Sequence, residues 1–112
     1  MSRRSGAREV ESGLLDGLGM AARAGQLRIG TDAVRRSIRS RQAAAVVIAG
    51  DAPPYVREKL ERLLTSRSLP YRVVLDGDRL GRAVGRERVV ALAVTDGSLG
   101  RRVMELAEAV EG

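Results

Sequence analysis

A chain of 112 residues, 44% hydrophobic and 30% charged, is long enough to bury one core and too apolar to stay disordered. It contains no cysteine and no histidine, which excludes disulfides, thiolate catalysis, cysteine-bound zinc and the usual general base. Its net charge of +6 is carried by nineteen arginines and one lysine, and residues 1–42 hold nine of those arginines against four acids, a footprint suited to a polyanionic partner.

Residues 1–11, MSRRSGAREVE, read as a disordered basic tail, and residues 12–112 as a single domain. No hydrophobic segment follows the arginines, so no secretory signal is expected, and the longest apolar run, Ala43 to Ala49, is far too short to cross a membrane. The lack of a signal and the lack of cysteine both point to the cytoplasm, the first more strongly. Ser12 to Ala24 has Leu14, Leu15, Leu18, Ala21 and Ala22 on one helical face, with Ser12 as N-cap and Gly25 as stop. Gln26 to Ile29 is a short extended piece. Gly30 and Thr31 open a second helix with Val34 and Ile38 inward. Ala43 to Ala49 reads as a strand buried on both faces. Asp51-Ala-Pro-Pro54 leads into a helix carrying Val56, Leu60, Leu63 and Leu64. Tyr71 to Leu75 is a strand, Asp78 to Val84 a short helix ended by Gly85, and Val89 to Val94 a strand. The last helix follows Thr95 and Asp96 and buries Leu99, Val103, Leu106 and Val110. Such alternation predicts a mainly parallel or mixed sheet covered by helices on both faces.

Four segments invite a chemical reading. Gly17-Leu-Gly19-Met-Ala-Ala22 matches a dinucleotide fingerprint, but no apolar strand precedes it, so close helix packing is the better reading. At Gly30-Thr31-Asp32 a glycine turn feeds a helix N-terminus, where free amides favour an anion, and Arg28, Arg35, Arg36 and Arg39 surround it. The bland alternative is a helix capped by Thr31 or Asp32 with solvated arginines. Asp51 stands where a strand gives way to a helix, a common ligand position, though capping of the helix explains it equally well. Gly81 to Arg88 is a glycine-marked loop with three arginines, either a second contact surface or a solvated turn.

Taken together, LLDGLGMAARAGQLRIGTDAVRRSIRSRQAAAVVIAGDAPP and LGRAVGRERVVALAVTD resemble the L7Ae/L30e ribosomal-protein superfamily, and more narrowly its bacterial YlxQ-like members, from about Leu14 to Val110. The resemblance implies a three-layer α/β/α sandwich on a four-stranded mixed sheet. It also implies non-catalytic binding of structured RNA, kink-turn-like or ribosomal, with the ribosome or other translation and RNA-processing proteins as partners and no cofactor. The family's strongest RNA binders open the second helix with Gly-x-Asn-Glu-x-x-Lys; here those positions are Gly30, Thr31, Asp32, Ala33 and Arg36. Asp32 and Ala33 depart from the pattern: an ionised Asp only accepts hydrogen bonds, and Ala offers no side-chain bond. The implied face is Arg28, Gly30, Thr31, Asp32, Arg35, Arg36 and Arg39, flanked by Gly85, Arg86 and Arg88 of the loop before the last strand. A protein-interaction module of the same fold is the alternative.

Overall fold

The computed structural model describes the backbone of residues 3–111 and the side chains of residues 6–111. Helix α1 spans Arg3–Arg23, so it begins nine residues before the expected cap at Ser12. Ala7, Arg8, Glu9 and Glu11 are good helix formers, and Glu11 Oε1 accepts a hydrogen bond of 2.7 Å from Arg79 Nη1. The stretch expected as a free tail is therefore helical from Arg3, and only its first two residues lie outside the described part. The helix stops where the sequence says it should. Gly25 adopts φ 73°; its N–H donates to Ala22 O, and Gln26 N–H donates to Ala21 O at 2.9 Å, the paired bonds of a glycine-terminated helix.

The remaining elements are β1 (Leu27–Ile29), α2 (Thr31–Arg39), β2 (Ala45–Ile48), α3 (Pro54–Ser66), β3 (Tyr71–Val73), α4 (Gly77–Ala83), β4 (Ala91–Val94) and α5 (Gly97–Glu111). The sheet order is β1-β4-β2-β3. Strand β4 runs antiparallel to β1 and β2, while β2 and β3 are parallel. The two central strands, AVVI and ALAV, are buried at every position, which is why their sequences are unbroken apolar runs.

Alternation along those strands divides the core in two. Val47, Leu92 and Val94 face α1, α4 and α5 through Leu14, Leu18, Leu80, Val103 and Ala107. Val46, Ile48, Ala91 and Ala93 face α2 and α3 through Val34, Ile38, Leu60 and Leu64. Each fully buried Leu, Ile or Val contributes roughly 1.5–3 kcal/mol, and the result is the expected three-layer α/β/α sandwich around an aliphatic core. Gly17, Gly19 and Ala22 all lie inside α1, and a Cβ on Gly19 would stand 2.9 Å from Ala83 O of α4, so this string contains a close-packing position and opens no phosphate loop. No helix among the described residues is long and apolar enough to cross a membrane.

All four strands are shorter than expected, β1 by Gln26 and β2 by Ala43, Ala44 and Ala49. Val89 leaves the sheet because its N–H donates to Gly77 O of α4 at 2.9 Å, so β4 starts only at Ala91. At the end of β3 the chain turns at Leu75, whose φ is 62°. Helix α4 starts at Gly77 with Asp76 as cap, its carboxylate accepting from Arg79 N–H at 2.8 Å.

Candidate nucleic-acid interface

Pairing of β1 with β4 puts Ile29 opposite Leu92, so the chain leaving β1 and the chain entering β4 share one rim of the sheet. Gly30 N–H donates to Ala91 O at 2.9 Å, and Ala49 N–H donates to Val90 O at 2.8 Å. The N-terminus of α2, the segment after β2 and the loop before β4 therefore converge at this rim.

Gly30 is the N-cap of α2, with φ 97° and ψ 154°, and no side chain caps the helix. That backbone region is essentially restricted to glycine. The first helical bond is from Val34 N–H to Gly30 O at 2.9 Å, so the amides of Thr31, Asp32 and Ala33 have no partner within the helix. The expected cap by Thr31 or Asp32 is absent, because both residues already lie in the first turn. Asp32 is exposed, with Arg35 Nη1 only 4.0 Å away, a weak surface pair. Val34, Ser37 and Ile38 are buried, and Ser37 Oγ donates to Val34 O, so Asp32, Arg35, Arg36 and Arg39 are left on the outer face. Arg36 and Arg39 are exposed and have no acidic partner within 4.0 Å among the described residues. Arg28, at the centre of β1, lines a shallow hollow with Ala33, Arg36, Ser40 and Gln42, although its Nη1 also donates to Leu27 O.

The loop after α4 lies directly on that helix. Gly85 has φ 78°, Arg86 N–H donates to Gly81 O at 2.7 Å, and a Cβ on Gly81 would come within 2.6 Å of Glu87 O. The two loop arginines expected to act together have different surroundings. Arg86 is exposed with no acidic partner among the described residues. Arg88 donates to Asp51 Oδ2 at 3.1 Å and stands 3.8 Å from Asp78.

Asp51 does not cap α3; the N-cap is Pro53, with no side-chain bond. Asp51 Oδ1 instead accepts from Gly77 N–H at 2.8 Å. One carboxylate thus ties together the segment after β2, the start of α4 and the loop before β4. The Gly77 amide above all holds the Asp51 carboxyl below its ordinary value; desolvation opposes it, and Arg88 adds to the lowering. A depressed pKa in the folded state gives stability that is fully present above the ordinary value and is lost as pH falls through the lowered one. An NMR titration of the Gly77 amide should show a midpoint below the ordinary 3.8, and Asp51→Asn should remove it. A midpoint at or above that value would contradict the assignment.

Lys59 and Arg62 of α3 belong to no motif singled out in the sequence. With Leu63 and Ser66 they form one side of a groove whose other side is Arg35 and Arg39 of α2. Their spacing of three, continued by Leu63 and Ser66, is the helical signal that could have found them.

Known proteins share this architecture. The family profile described as ribosomal protein L7Ae/L30e/S12e/Gadd45 matches residues 14–100. The Bacillus subtilis protein named RNA-binding protein YlxQ is 33% identical over 89 residues, covering 80% of this chain and 89% of the relative. A solved structure of a Bacillus halodurans protein of unknown function superposes with a TM-score of 0.82 at 33% identity, covering 85% of this chain and 96% of that one. The Giardia lamblia 15.5kD RNA binding protein shares the fold at 20% identity, with a TM-score of 0.77 over 91% of this chain and 90% of that one.

Proposed function

The chain belongs to the L7Ae/L30e/S12e/Gadd45 family of ribosomal proteins, and from that premise we propose that it binds structured RNA at the Gly30 rim without catalysing a reaction on it. One observation carries the reading: the unpartnered amides of Thr31, Asp32 and Ala33 open a helix whose outer face presents Arg35, Arg36 and Arg39. Amides at a helix start and forked guanidinium groups are both phosphate ligands. The relative named for RNA binding supports the same assignment.

Gly30 and Arg36 keep the glycine and the basic position of the kink-turn pattern, whereas Asp32 and Ala33 lack the side-chain amide and the carboxylate that the pattern places there. Recognition then rests on phosphate positions and RNA shape more than on base edges. Tyr55 and Tyr71 are the chain's only aromatic residues, too few for a stacking platform on single strands. The partner is a folded or double-stranded RNA, in a cytoplasmic setting with ribosomal or RNA-processing proteins nearby.

Mobility shifts of the purified protein with a kink-turn RNA and with an unkinked duplex of the same composition test this. Binding should weaken as salt rises, with a logarithmic slope of roughly 0.7–0.9 per phosphate contacted, and the kinked RNA should bind more tightly. Absence of any RNA affinity at about 150 mM salt, together with a protein pull-down that survives nuclease, would replace the RNA reading with a protein-interaction module.

A further inference from the structure

We propose that the groove between α2 and α3 is a second contact, holding the phosphodiester backbone of a duplex arm that leaves the RNA bound at the Gly30 rim; it rests on the RNA reading above. The groove is lined by Arg35, Arg39, Lys59, Arg62, Leu63 and Ser66. Lys59 and Arg62 are exposed and have no acidic partner within 4.0 Å among the described residues. Like charges facing each other across a groove repel, and a polyanion laid between them removes that repulsion.

No acid of the same helices lines the groove, and Glu58, one turn before Arg62 on α3, makes no ion pair within 4.0 Å among the described residues. Glu61 of α3 accepts from Arg57 Nε at 2.8 Å and from the Tyr71 hydroxyl at 2.7 Å, which turns its charge toward β3. Those two bonds, Tyr71 first, also keep the Glu61 carboxyl below its ordinary value, so it stays ionised on that side. Asp32 lies at the start of α2, at the rim end.

The strip is continuous with the first site. Tyr55, 67% exposed, lies on the same face of α3 as Lys59 and Arg62, one turn nearer the rim. At the other end Arg41 and Arg67 line a further hollow beside Ile38 and Leu69. Helix α3, at 13 residues, is about 20 Å long, enough to follow several successive phosphates. Fixed cations on two packed helices, with no aromatic side chain along the groove beyond Tyr55, suit a regular backbone better than unstacked bases.

The test compares Lys59→Ala/Arg62→Ala with wild type on two kink-turn RNAs, one with long flanking helices and one with its arms cut back to the kink. The double variant should lose roughly ten-fold in affinity for the long RNA, and its salt slope should fall by about 2. Its affinity for the short RNA should be unchanged. Equal loss on both RNAs, or no loss on either, overturns the groove assignment while leaving the rim site standing. Failure of the wild-type protein to bind either RNA overturns the RNA reading and the groove assignment with it.

Discussion

Replacing Arg35 and Arg36 together by alanine should lower affinity for structured RNA by roughly 10- to 100-fold at about 150 mM salt and reduce the salt slope by about 2. Both side chains leave the outer face of α2, while Val34, Ser37 and Ile38 fix the helix on the sheet from its buried face. Arg35 is held only by the 4.0 Å approach of Asp32, a surface pair worth little, and Arg36 has no acidic partner among the described residues. The fold should therefore tolerate the change within about 0.5 kcal/mol, and a thermal melt should stay close to wild type. Affinity and slope must fall together, because both report the same displaced counterions. An unchanged slope with an intact fold would place the RNA elsewhere on the molecule. By contrast, Arg88→Ala should act through the loop. It removes one of the two partners of the Asp51 carboxylate, leaving the Gly77 amide, and loosens the segment before β4.

The order of elements could be read from the chain because local signals and tertiary packing agree. AVVI and ALAV are apolar throughout and become the two central strands, and Gly25 closes α1 with the bonds its position predicts. What escaped the reading depends on residues far apart in sequence. Ser12-Gly13 resembles a helix boundary, yet α1 runs through it, and the Glu11–Arg79 pair that fastens the extension spans 68 positions. Asp51 resembles a cap because its partners, Gly77 and Arg88, lie 26 and 37 residues away. Lys59 and Arg62 are diluted in sequence by Glu58 and Glu61, and only helical spacing and the packing of α3 beside α2 bring them to one groove. The residues around Gly30 escaped that difficulty: a glycine, a helix start and three arginines fall within ten consecutive positions.

Gly30→Ala should impair the protein in stability, in RNA affinity or in both, for a reason that lies in the backbone. A Cβ at Gly30 would meet nothing within 4 Å, so there is no clash to relieve. The difficulty is φ 97° with ψ 154°, a conformation that costs a residue with a side chain about 1–3 kcal/mol. The strain leaves two ways out, each with its own readout. If the backbone holds, stability falls by that amount, a drop of roughly 4–8 °C in Tm per kcal/mol for a domain near this size. If the backbone rotates, the bond from Gly30 N–H to Ala91 O is lost and the first turn of α2 moves, taking the amides of Thr31, Asp32 and Ala33 out of register with the loop before β4. Gly25→Ala is the control, since Gly25 also has positive φ, at 73°, and open space around it, but lies at the other end of β1. That variant should lose stability and keep most of its RNA affinity, because the turn after α1 meets the proposed face only through Arg28, whose Nη1 donates to the Gly25 carbonyl at 3.3 Å, and an added Cβ leaves that carbonyl in place. Gly30→Ala with wild-type melting and wild-type binding would show that α2 does not need this backbone conformation to present its amides. The rim would then have no claim to be the RNA site on geometric grounds.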